Sequence, residues 1–330
     1  MLPVVIMGLG RIGAGYGARE GLPNHLQAAL SQQELRVAGL IDPDAGAHAH
    51  IADAYPDLVD RLCTDLSDLP RDASAEIIVV CGPTDRHCSM LEQALDRKPC
   101  LVVIEKPAAD NLATAKRMLA AAAGEGANIL VNFHRRFDTR IVRCRQDAPT
   151  APRMIVARYG KGLWNYASHM VDLLMDWYGP IRDVQALAES RPREDDPNLS
   201  FRCRMEAGFD AVLIGIDGLA YDQFEMDILG SDGMVEMRAG GSVLRRLAPV
   251  DSRHHKGYEA LQTRDTDSGT VGGFQELYAH IAAHFDDGAD LGGCNLATAV
   301  ANAAVLDAAL VSAERGGVPV RPETPVLHAA

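Results

Sequence analysis

The chain has 330 residues, 47% of them hydrophobic and 23% charged, which is too long for one ordinary core and matches a soluble globular composition rather than a disordered or fibrous one. A net charge of -13 sets up a field that repels phosphate backbones and anionic lipid heads, and so argues against a nucleic-acid partner or a membrane surface. Seven cysteines without a C-x-x-C pair fit reduced thiols in a reducing compartment, and so a cytoplasmic enzyme.

In chain order, the opening "MLPVVIMGLG" lacks a basic region and its apolar run breaks at Gly8, so it does not read as a signal peptide. Gly8, Gly10 and Gly13, with Arg11 and Ile12 between the last two, give G-x-G-x-x-G directly after a strand. That spacing lets the backbone turn tightly and approach a pyrophosphate, and a plain structural turn is the alternative. The insert "AGYGAREGLPN" then delays or interrupts the first helix, read at residues 25–30. The second strand ends in "LIDPD", where Asp42 would hold the ribose hydroxyls of NAD and repel the 2′-phosphate of NADP; a turn-capping aspartate is the bland reading.

Further continuous apolar runs, "AEIIVVCG", "CLVVIEKP" and "NILVNF", alternate with helical periodicity at 85–96 and 110–123. Strands of this kind belong to a parallel sheet covered on both faces, so the first part is a βαβ series and a doubly wound Rossmann domain, assigned to residues 1–130. In "LVVIEKPAADNL" a buried strand ends in Glu105 and Lys106, before Pro107, at the carboxyl end where such sheets place their ligands. A strand-end ion pair is the alternative.

Beyond about residue 150 the runs alternate, as in "LSFRCRMEAG", and "GSDG" marks a tight turn. Residues 131–330 are therefore assigned to a second, α+β domain with a large open, mainly antiparallel sheet. Two helices follow, at 274–285 and 295–313; the second is apolar, but Asn302 and Asp307 mark it as packed in protein rather than lipid. His280 and His284 are spaced i, i+4 without the glutamate or third histidine of a zinc helix, so no metal is expected.

"GLGRIG", "IDPD", "VVCGPTDRHCSMLEQAL", "VVIEKPAADN", "VNFHRRFD" and "NYASHMVDLLMDWYG" resemble, in order and spacing, the glucose-fructose oxidoreductase / inositol dehydrogenase (Gfo/Idh/MocA) family. The resemblance implies an NAD enzyme, with NADP possible, acting on a sugar-like alcohol. It makes Lys106 and His169 catalytic, with Asn165 standing where the family has an aspartate. Asn orients an imidazole but brings no charge to raise its pKa. Pro83, Thr84, His87, Glu105, Lys106 and Asn132 fall on the cofactor side. Arg135, Trp164, Asn165, His169 and Asp172 fall on the substrate side, and Arg135 and Arg136 are open alternatives as partners of Asp138. The pocket walls are expected around Trp164 and in residues 191–198. The implied partner is a small carbohydrate, and too few helices to cover the second sheet point to a homodimer or homotetramer through it. A redox glycosidase and a non-catalytic sugar or cofactor sensor are the rival readings.

Overall fold

The structure, a computed structural model, describes residues 1–17, 21, 23–70, 75–187 and 196–323. In chain order the elements are β1 (Leu2–Met7), α1 (His25–Leu30), β2 (Leu35–Ile41), α2 (Ala45–Ala54), β3 (Leu62–Cys63), β4 (Ile77–Val80), α3 (His87–Leu95), β5 (Leu101–Ile104), α4 (Leu112–Ala122) and β6 (Asn128–Val131). Then come α5 (Thr139–Asp147), β7 (Met154–Tyr159), α6 (Ser168–Tyr178), β8 (Ile181–Ala186), β9 (Phe201–Met205), β10 (Asp210–Gly215), β11 (Phe224–Leu229), β12 (Met234–Arg238), β13 (Val243–Asp251) and β14 (Glu259–Ser268). Helix α7 (Phe274–Asp287), β15 (Cys294–Asn295) and α8 (Leu296–Glu314) complete the described chain.

The first compact unit takes Met1–Phe137 and then Gly272–Val300, so a single cut near residue 130 misses a return of the chain. The cause is hydrophobic: Leu277, Tyr278 and Ile281 of α7 belong to the same buried cluster as β1, β4 and β5. Its sheet has the order β15-β6-β5-β4-β1-β2-β3, parallel throughout except for β15, which pairs antiparallel with β6. All four residues of β4 and of β5 are buried, as strands covered on both faces must be. The order reverses between β1 and β4, which opens a crevice at their carboxyl ends. In α4 the buried stripe is Leu112, Ala115 and Met118.

The second unit comprises Asp138–Val271 and, among the described residues, 301–323. Its eight-stranded sheet, β14-β13-β12-β11-β7-β10-β9-β8, is mainly antiparallel, with one parallel pair, β7 with β10. Alternation along a strand reads the same in either direction, so the sequence does not reveal that pair. On one face Ile155, Ala157, Phe201, Cys203, Met226 and Met237 are buried. The other face is a ladder of ion pairs, with Arg158 to Glu225 (3.2 Å) and Asp227 (3.1 Å), Arg238 to Asp227 and Glu236 (3.1 Å), and Arg204 to Asp210 (3.2 Å). "GSDG" closes β11 onto β12, the Gly230 N–H donating to the Gly233 carbonyl at 2.8 Å. Helix α8 is long and apolar enough to cross a membrane, but 67% of its most apolar stretch is buried in the protein.

Candidate functional site

The three fingerprint glycines answer to different constraints. Gly8 has φ +96°, and a methyl there would stand 2.7 Å from the Cys81 carbonyl carbon and the Gly82 nitrogen. A methyl on Gly13 would overlap the Gly8 carbonyl. At Gly10 nothing among the described residues lies within 4 Å of the methyl position, so the backbone there faces open space. A main chain laid bare at the mouth of a helix fits a pyrophosphate.

The N–H groups of Ala14 and Gly15 donate to the Gly10 carbonyl (3.0 and 3.1 Å), which makes one helical turn before the chain leaves. His25 and Leu26 then donate to the carbonyls of Ile12 and Gly13 (2.8 and 2.9 Å). The insert is thus looped out of a helix whose hydrogen-bond ladder continues across it. Residues 18–20 and 22 of the insert lie outside the described residues.

A groove of about 730 Å³ follows the glycine turn and is lined by Gly10, Arg11, Ile12, Tyr16, Asp42 and Pro83 among others. Asp42 is held from both sides: Oδ2 accepts from the Leu9 N–H at 2.7 Å and Oδ1 from the Asp44 N–H at 2.9 Å. The Cys81 thiol donates to the Gly8 carbonyl at 3.1 Å. Burial pushes that thiol well up, and the Glu105 and Asp42 carboxylates add to the effect, so it stays protonated as a strut of the turn.

Glu105 ends β5 and is 9% exposed. Its Oε1 lies 2.9 Å from His25 Nε2 and 2.5 Å from Asn132 Nδ2. His25 Nδ1 is in turn 2.9 Å from the Tyr278 hydroxyl, and the His25 ring packs edge-on against Phe274 at 5.1 Å. An ionised carboxylate only accepts, so Nε2 carries the hydrogen; in the neutral ring, Nδ1 then accepts from Tyr278. Burial drives the Glu105 carboxyl up, but the hydrogen bonds from His25 and Asn132 outweigh it and hold the group below its ordinary value. The next residue, Lys106, joins Pro107 through a cis peptide.

Asn132, expected beside the cofactor, is buried and donates to Glu105. Thr84 opens a short 3-10 turn through Arg86. His87 is also buried: Nε2 lies 2.9 Å from the Gly82 carbonyl and Nδ1 3.2 Å from those of Pro107 and Ala108, so the ring ties the loop after β4 to the loop after β5. Arg135 is half-buried. Arg136 donates to the Gly293 carbonyl at 3.1 Å, and Asp138 caps α5 through the N–H groups of Arg140 and Ile141. His280 packs on Phe137 at 5.2 Å and His284 lies 2.7 Å from the Ala289 carbonyl.

In the second unit, Leu163–Ala167 is a π-helical segment that runs straight into α6. Asp196 caps it, Oδ1 accepting from the Trp164 N–H at 2.6 Å and Oδ2 from the Asn165 N–H at 3.0 Å. Gly162 has φ +97°, and a methyl there would overlap that carboxylate. Asn165, His169 and Asp172 follow one another at helical i, i+4, i+7 spacing. His169 and Asp172 are buried at 3% and 1% exposure, Trp164 at 8%, and the His169 ring meets Phe224 edge-on at 6.2 Å. Of the expected wall at 191–198, residues 191–195 lie outside the described residues.

Sequence reasoning missed His25, Tyr278, Tyr16 and Asp196. Tyr278 carried one signal, a hydroxyl beside the apolar stripe of α7, because a buried tyrosine needs a polar partner. Its partner lies 253 residues away, which no local pattern encodes.

Comparison with known proteins bears on the same residues. Residues 2–133 match a family model described as "Oxidoreductase family, NAD-binding Rossmann fold". The chain is 29% identical over 133 residues to an uncharacterized oxidoreductase, YrbE, of Bacillus subtilis (strain 168), a match that spans 40% of this chain and 36% of that relative. Among solved structures, the WlbA dehydrogenase of Bordetella pertussis, in complex with NADH and UDP-GlcNAcA, has a TM-score of 0.74 at 18% identity, over 97% of this chain and 98% of that one. A super-repressor mutant of Gal80p from Saccharomyces cerevisiae has 0.77 at 14% identity, over 97% of each. Residues 2–133 thus match the NAD-binding Rossmann fold of an oxidoreductase family, and the solved structures share the fold over nearly the whole chain.

Proposed function

We propose that the chain is an NAD(P)-dependent oxidoreductase that exchanges a hydride with a secondary hydroxyl or keto carbon of a sugar, an amino sugar, a nucleotide sugar or a cyclitol. The observation that carries this reading is the anchored carboxylate of Glu105, which presents Lys106 at the carboxyl end of β5, on the strand next to those that line the cofactor groove. NAD(P), when bound, supplies the hydride exchange. Gly10 and the glycine turn receive its pyrophosphate, and Asp42 its adenosine ribose.

Lys106 hydrogen-bonds the reacting oxygen and offsets charge as it develops there. His169 exchanges the hydroxyl proton, with Asn165 orienting it. Trp164, Arg135 and Asp172 supply the apolar and polar contacts of a carbohydrate. The free thiols fit a reducing, cytoplasmic setting.

Incubation with NAD and a panel of sugars, read by absorbance and product analysis, tests the reading. A net rise of NADH with a ketone product supports it. Release of a free sugar without NADH would mean a redox glycosidase. Tight NAD binding without turnover of any sugar would favour a sensor. Lys106→Met keeps the apolar stem and removes the donor, so it should retain NAD affinity and lower kcat by about 100-fold or more; unchanged kcat removes Lys106 from the mechanism.

A further inference from the structure

Tyr16 stands in the looped-out insert, half-buried, and lines the cofactor groove between Gly10, Arg11 and Ile12 on one side and Asp42, Pro43 and Asp44 on the other. Its N–H donates to the Leu9 carbonyl at 3.3 Å, which ties it to the fingerprint turn. Its ring crosses to α2, where it meets the His50 ring at 6.0 Å and 48°. Its hydroxyl occupies the place a side chain would take on Gly46, the second residue of α2. Gly46 needs no left-handed backbone, and glycine is a weak helix former, so what demands it here is the close approach of Tyr16.

The start of α2 is the place where a 2′-phosphate next to the Asp42 ribose site would find free N–H donors. Here the Gly46 N–H is already taken by Asp44 Oδ1 at 2.7 Å, and the Tyr16 hydroxyl covers the same residue. Arg11 and Arg86 line the groove too, so charge alone does not decide the matter; filled space does.

We infer that Tyr16 is a specificity-determining residue, which closes the space beside the adenosine ribose and excludes the 2′-phosphate of NADP. The inference concerns cofactor choice and does not rest on the sugar reading above.

Titration of the full chain with NADH and NADPH, followed by nicotinamide fluorescence, tests it without any substrate. The natural chain should bind NADH about ten-fold or more tightly than NADPH. Tyr16→Ala should narrow that ratio by about five-fold or more, mainly through tighter NADPH binding. Gly46→Ala leaves the tyrosine in the sequence but pushes its hydroxyl away, and should narrow the ratio in the same direction. The double variant should match Tyr16→Ala alone, because the two changes act on one contact. Tyr16→Phe keeps the ring but removes the hydroxyl that covers Gly46, so it should narrow the ratio, though less than Tyr16→Ala. If Tyr16→Ala fails to fold, Gly46→Ala and Tyr16→Phe decide the question. An unchanged ratio in Tyr16→Ala or Gly46→Ala overturns the inference, as does an effect of Gly46→Ala that persists in full once Tyr16 is gone.

Discussion

At the residue scale the first unit keeps a carboxylate ionised inside protein by giving it two donors, while the neighbouring imidazole of His134 is depressed by its own burial. Burial pushes His134 down to about 4 from 6.5, and the Arg135 guanidinium adds to this against the pull of Glu105. A histidine depressed in the folded state binds its proton first in the unfolded chain. Its contribution to stability is therefore complete above pH 6.5 and is lost as pH falls from there toward 4. His134→Gln cannot take the proton, so the stability gap between natural chain and variant should shrink by about 2 kcal/mol between pH 7 and 4.5. Urea titrations at the two pH values check this, and a constant gap would contradict it. Residues of this kind divide sharply in legibility. The positive φ of Gly8 and the close approach of Gly13 to the Gly8 carbonyl are local backbone demands, and the glycine spacing marks them in the sequence. His25 has no such mark, because its partners lie 80 and 253 residues away.

At the scale of elements, the periodic segments were legible because each buries one face, as the helices at residues 87–95 and 112–122 do. The π-helical run at 163–167 was not, since one extra residue per turn leaves no mark on an apolar stripe that short. What specifies it is the Asp196 carboxylate, distant in the chain, which takes two N–H groups, together with the adjoining Gly162 that makes room for it. Asp196→Ala should lower stability by about 1–2 kcal/mol, the usual cost of a lost cap. Amide exchange at Trp164 and Asn165 should speed up while the strands of the second sheet keep their protection. Unchanged exchange at those two amides would show that Asp196 does not hold the segment.

For the whole molecule, the unburied face of the second sheet is where we place the contact between subunits. Its arginines are already paired within the chain, so association has no stranded charge to bury. Light scattering at micromolar concentration should give a dimer or tetramer, and a clean monomer counts against the assignment. The broad division into a parallel and a mainly antiparallel sheet was legible, because covered and half-covered strands differ in pattern. The return of residues 272–300 was not, because helix α7 looks the same whichever core it joins. That return carries a consequence for the order of events during synthesis. When residue 137 leaves the ribosome, β6 has no neighbour on its outer edge, and the Glu105–His25 pair lacks Tyr278. Those partners emerge only as translation nears residue 300, roughly ten to thirty seconds later at ordinary elongation rates. Throughout that interval the nascent chain displays an open strand edge of the kind that recruits the wrong partner. The first domain to be made is therefore among the last to be finished, and its yield in the cell depends on what shields that edge while the second sheet is still being translated.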